Sequence, residues 1–158
     1  MGSEMCIRDR SNSILFPIKA LPQFEDVFNS IAEGFVNLSL PNQQLTIGLT
    51  AKKGLSLDDK FIYIHDHFSG YFCWLSFNFI EEGLRDEEDI EYSYMGSVSA
   101  RGELNLKFSV LILYVISLTL NPRVIYDDSY LVQSKEPYSF HELKPFVEAY
   151  IKEIYPVI

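Results

Sequence analysis

Cysteine is scarce in this chain, basic side chains are outnumbered, and no apolar run is long enough to cross a bilayer. Of the two cysteines, Cys6 falls in a segment set aside below, which leaves Cys73 by itself. A lone thiol cannot close an internal disulfide, so a reducing, cytoplasmic compartment is expected. In Tyr71-Phe72-Cys73-Trp74-Leu75 no Lys, Arg or second Cys stands nearby to lower the thiol pKa, and Cys73 reads as a buried, inert group rather than a nucleophile. Lys and Arg number 13 against 22 Asp and Glu, giving a net charge of -9. That balance excludes a protein that tracks nucleic-acid phosphates, which needs a basic footprint. The longest apolar run, Phe108–Leu120, would span only about 20 Å as a helix, against a bilayer core of about 30 Å. With Lys107 before it and Arg123 just beyond, it reads as a buried core element, with no membrane contact expected. No Gly-x-Ser-x-Gly elbow occurs, and Gly96 and Gly102 fit neither nucleotide-binding spacing. No catalytic residue and no cofactor can be assigned, and an enzyme is the less favoured class.

What is present suits one folded unit. A hydrophobic content of 47% over 158 residues is enough for a single core and too high for intrinsic disorder. Met5-Cys6-Ile7-Arg8-Asp9-Arg10 resembles the translation of a transposase mosaic-end sequencing adaptor. Residues 1–12 are therefore set aside as a non-native tail and residues 13–158 are taken as a single α+β domain. The charges of Glu4, Arg8, Asp9 and Arg10 cancel, so the acidic balance is unaffected.

Ile14–Ile18 reads as a short strand. Pro22 is placed at the first position of a helix in which Phe24, Val27, Phe28, Ile31 and Phe35 share one face. Gln44–Leu49 is a further strand candidate. Phe61–Phe68 and Tyr71–Ile80 are rich in aromatic and β-branched residues and are read as a hairpin turning at Ser69-Gly70. A two-residue turn there sets Phe68 opposite Tyr71, Asp66 opposite Cys73, His65 opposite Trp74, Ile64 opposite Leu75 and Ile62 opposite Phe77. Alternation then gives a core face of Ile62, Ile64, Leu75, Phe77 and Phe79. Phe61, Tyr63, His65, His67, Phe72, Trp74, Ser76 and Asn78 fall on the other face. The small residues of Gly96–Gly102 read as a linker or the approach to a helix, and Glu103–Leu120 as a helix buried on most sides. Arg123–Tyr126 is expected as a strand, Asp127-Asp128-Ser129 as a turn and Tyr130–Val132 as a further strand. Ser139-Phe140-His141-Glu142 fits a capping box, although Pro145 requires an irregular first turn or a helix starting at itself. This order resembles the ferredoxin-like βαββαβ topology, a mostly antiparallel single-layer sheet with helices on one face, plus a C-terminal helix.

Three groups of residues could carry function. His65 and His67, two apart on a strand, would point the same way at a spacing that suits a transition metal, with His141 as a candidate third ligand. The simpler reading is two polar side chains on an outer sheet face, and no metal is assigned. Asp127-Asp128 and Asp58-Asp59 are turn compositions before they are sites. Glu81, Glu82, Asp86, Glu87, Glu88, Asp89 and Glu91, offset only by Arg85, form an acidic run that must lie in solvent, since burying unpaired carboxylates costs several kcal/mol each. The run begins where the second hairpin strand ends, so it is expected to adjoin the aromatic face. Tyr63, His65, Phe72, Trp74, Asp86, Glu87, Glu88 and Asp89 are accordingly the candidate partner-binding residues.

In size, acidity and α+β character the chain resembles the immunity proteins with which bacteria neutralise their own nuclease-type toxins. The resemblance implies a basic protein partner whose cationic cleft the acidic chain occludes. The alternatives are a subunit of a homo- or hetero-oligomer, and a metal-dependent enzyme using His65 and His67.

Overall fold

The structure is a computed structural model that describes residues 12–41, 44–49, 54, 56–134 and 137–156. Five strands form one open antiparallel sheet: β1 (Asn12–Ile18), β2 (Leu45–Leu49), β3 (Lys60–Asp66), β4 (Phe72–Phe79) and β5 (Tyr94–Ala100). Their order is β1-β5-β4-β3-β2, so β2 to β5 meander and β1 closes onto β5. Three helices accompany the sheet: α1 (Phe24–Asn37), α2 (Glu103–Leu120) and α3 (Lys144–Ile154). The architecture is therefore α+β, as expected, but the ferredoxin-like strand order is not what is observed. That order needs parallel neighbours, whereas all four pairings between the described strands are antiparallel.

The strand missing from the sequence reading is β5. Its sequence, Tyr94-Met95-Gly96-Ser97-Val98-Ser99-Ala100, has the small side chains of a linker. The structure explains them: Gly96 lies between Phe16 on β1 and Phe77 on β4, whose buried rings meet edge to face at 6.1 Å. A Cβ on Gly96 would stand 2.3 Å from the Phe16 ring.

Strand alternation places Ile14, Phe16 and Ile18, then Ile62 and Ile64, Cys73, Leu75 and Phe77, and Val98 and Ala100 in one buried layer. Phe79, expected with them, is 50% exposed, because it ends β4 beyond the helices and packs on Tyr94 instead. Over this layer runs α2, which packs on β4 and β5 and is flanked by α1 and α3. Nearly every position from Phe108 to Ser117 is buried, which accounts for its all-round apolar sequence. By length and composition α2 could cross a membrane; here it is the central helix of the core. Gly34 lets α1 approach it, since a Cβ there would stand 2.5 Å from Val115 Cβ.

Several boundaries differ from expectation. Pro22 precedes α1 rather than opening it. Gln23 is the cap, and its backbone N–H donates to Asp26 Oδ2 at 3.2 Å. Within α1, Val27, Ile31 and Phe35 are buried, while Phe28 is largely exposed. Arg123–Tyr126 is no full strand: Tyr126 bridges Leu15 at the outer edge of β1, and Ile125 bridges Tyr138. Tyr130–Val132 adds nothing to the sheet. Instead the Leu131 and Val132 backbone N–H groups donate to the buried Asp127 carboxylate at 2.7 and 2.9 Å, which supports the turn reading of Asp127. Before α3 the chain makes a 3-10 turn, Phe140–Leu143, in which the His141 N–H donates to Ser139 Oγ at 3.2 Å. This irregular turn puts Pro145 in the first turn of α3, where its missing N–H costs nothing.

Candidate functional site: the aromatic face of the sheet

The β3–β4 hairpin turns through four residues, His67 to Gly70, not two. Asp66 N–H donates to Tyr71 O at 2.9 Å and Gly70 N–H to Asp66 O at 2.8 Å. The cause is Asp66, whose buried carboxylate accepts from Phe68 N–H at 3.0 Å, from Ser69 Oγ at 2.8 Å and from the Tyr155 hydroxyl. Gly70 completes the loop at φ +88°. The pairing is therefore displaced by two residues from the expected register: Tyr63 faces Trp74, His65 faces Phe72, Ile62 faces Leu75 and Ile64 faces Cys73. An even displacement keeps every side chain on its face, so the division into core and outer face survives although the partners change.

On the face that carries no described helix, Tyr63, Phe72 and Trp74 form a ring cluster. Tyr63–Phe72 centroids lie 5.7 Å apart, Tyr63–Trp74 6.1 Å, and Phe72–Trp74 5.4 Å edge to face. His65 adds to it at 6.1 Å from Phe72 and 5.8 Å from Tyr63. All four are half-buried, and Phe61 next to them is 64% exposed. Their neighbours are small: Gly48 lies opposite Tyr63 with open space above it, and Ser99 lies opposite Trp74. The rings thus form a ridge between low flanks.

His67 sits in the turn, and its ring still lies 4.0 Å from that of His65. Its Nε2 makes a 2.7 Å hydrogen bond with Thr46 Oγ1, and Thr46 is the cross-strand partner of His65. Sequence reasoning missed Thr46, because nothing in Gln44–Leu49 fixes the register of β2. His141 does not join the pair; its ring stacks on Phe140 at 4.1 Å in the turn before α3. Among the described residues no three His, Cys, Asp or Glu side chains come together as a metal centre.

The acidic run forms two 3-10 turns, Glu82–Leu84 and Glu87–Asp89. Arg85 clasps the loop from within, donating through Nε to Ile80 O and through a terminal nitrogen to Ile90 O, both at 2.8 Å. Two expectations fail here. First, the run does not adjoin the ring cluster. Phe72 and Trp74 stand at the start of β4 and the acids follow its end, about 20 Å further along at the usual rise per residue. Second, Asp89 is only 4% exposed. It pairs with Arg123, and it accepts from the Tyr126 hydroxyl at 2.6 Å while Arg123 donates to that same hydroxyl at 2.8 Å. Burial, reinforced by the bond to Asp89, pushes the Tyr126 pKa up to about 12. Asp86, Glu87 and Glu88 remain in solvent.

Cys73 is buried in the core layer, and burial drives its thiol pKa far upward, so it takes no part in any surface chemistry. A cleft at the start of α1, lined by Leu21, Pro22, Phe24 and Leu57 among others, has no histidine or cysteine among its described residues. No protein-family profile, curated protein or solved structure matches the chain.

Proposed function

We propose that the protein is a small acidic binding module that engages a basic protein partner through the aromatic face of its sheet, which carries no described helix, as an immunity protein occludes the cationic cleft of a toxin. The observation that carries this reading is the half-exposed Tyr63–Phe72–Trp74 ridge. Aromatic side chains of this kind dominate interface energetics because each buries a large apolar area on docking at little entropy cost. Charge selects the partner: the chain bears -9, and Glu82, Asp86, Glu87 and Glu88 in and beside the two 3-10 turns stand in solvent. An acidic field accelerates encounter with a basic protein by roughly 10–10³ at low salt. A standard footprint of about 800 Å² per partner is roughly 30 Å across, so one partner could touch both the ridge and the acidic turns.

Capture from a native lysate followed by measured binding of the recovered protein tests the reading. A basic protein is expected whose affinity falls at least tenfold with Trp74→Ala or Tyr63→Ala. Its association, but not its dissociation, should slow with Glu87→Lys plus Glu88→Lys. Binding that ignores both aromatic substitutions and the salt concentration would overturn it. A second copy on the same sheet is the competing reading, favoured by the uncharged edge strand β2, Leu45-Thr46-Ile47-Gly48-Leu49. Light scattering that reports a concentration-independent monomer removes it.

A further inference from the structure

We propose that His65 and His67 form a two-imidazole binding site for a late first-row divalent transition ion, with Thr46 holding His67 in its ligating tautomer. This inference is independent of the partner reading above and rests on three observations. The two rings are the closest ring pair on the face, 4.0 Å between centroids and inclined by 43°. Two nitrogens bound to one ion at 2.0–2.1 Å stand about 3 Å apart, a separation that rings so placed reach by turning about their side-chain torsions. His65 is half-buried and its ring makes no hydrogen bond with a described residue, while His67 is exposed and engages only its Nε2, so His67 Nδ1 and the His65 ring are open to a ligand.

The third observation is the Thr46 contact. Ligating histidines characteristically give their second ring N–H to an acceptor, which fixes both tautomer and ring orientation. When His67 Nε2–H donates to Thr46 Oγ1 across 2.7 Å, Nδ1 carries the lone pair for the metal. Thr46 is placed for this by strand register, since it pairs directly with His65. Asp66, between the two histidines, is no competitor: its carboxylate lies on the core side, bound to Phe68 N–H, Ser69 and Tyr155. Two neutral imidazoles with the remaining positions left to water suit copper, nickel and zinc, with Cu²⁺ held tightest in the general order of divalent affinities.

The single tryptophan supplies the readout, because Trp74 is separated from His65 by one ring, Tyr63 or Phe72. Titration of untagged protein with Cu²⁺, in a Cys6→Ser background that removes a competing thiol, should quench Trp74 emission saturably at one ion per chain. His65→Gln and His67→Gln should each weaken binding at least tenfold. Thr46→Val should weaken it about threefold to tenfold, and His141→Gln should leave it unchanged. Calorimetric titration with Zn²⁺ alone gives a second readout that does not depend on fluorescence. The proposal is overturned if the wild-type chain shows no saturable isotherm with either ion. It is equally overturned if neither His65→Gln nor His67→Gln alters one.

Discussion

Asp89 and Glu88 are adjacent acids with opposite surroundings: one is sealed against Arg123 and Tyr126, the other stands in solvent. Removing the first strands a partly buried guanidinium and a phenol. Asp89→Ala is therefore expected to cost about 2–3 kcal/mol in denaturant unfolding, whereas Glu88→Ala should stay within about 0.5 kcal/mol. Tyr126 adds a pH signature. Its folded pKa lies near 12 against an ordinary value near 10, so above pH 10 the unfolded chain sheds a proton that the folded chain keeps. Stability contributed by Tyr126 is thus fully present below pH 10 and falls as pH rises from 10 towards 12. Tyr126→Phe should make alkaline unfolding curves less steep across that window. Cys73 should resist maleimide in the folded protein and react only after denaturation, measured by mass spectrometry in the Cys6→Ser background. Residue-level chemistry was partly legible: the isolation of Cys73 and the turn role of Asp127 follow from their neighbours in sequence. The burial of Asp89 did not, because its cation arrives from a segment more than thirty residues away.

Elements were readable where one period dominates. The alternation of the β3 and β4 sequences sorted the faces correctly apart from Phe79 at the strand end, and the spacing of Val27, Ile31 and Phe35 gave α1. Register was not readable, since it is set by how the Asp66 carboxylate gathers Phe68, Ser69 and Tyr155, and the last of these comes from the far end of the chain. β5 escaped for a related reason: its small residues express what the neighbouring strands need, room for two phenyl rings, rather than any strand propensity of their own. Gly96→Ala should therefore destabilise by about 2–3 kcal/mol in chemical denaturation, because the buried Phe16 ring has no free space to yield. Gly34→Ala, against the Val115 side chain between α1 and α2, should cost about 1–3 kcal/mol by the same measurement, despite the better helix propensity of alanine.

For the molecule as a whole, fold class and the outer aromatic face were legible, while the strand order was not, since no local signal reports that the first strand pairs with the last. That pairing has a consequence for how the chain is made. β1, with Ile14, Phe16 and Ile18, leaves the ribosome ahead of the other strands and finds its sheet neighbour only when β5 has emerged about eighty residues later, roughly 4–16 s at ordinary elongation rates. Until then three large apolar side chains are without a home on a nascent polypeptide.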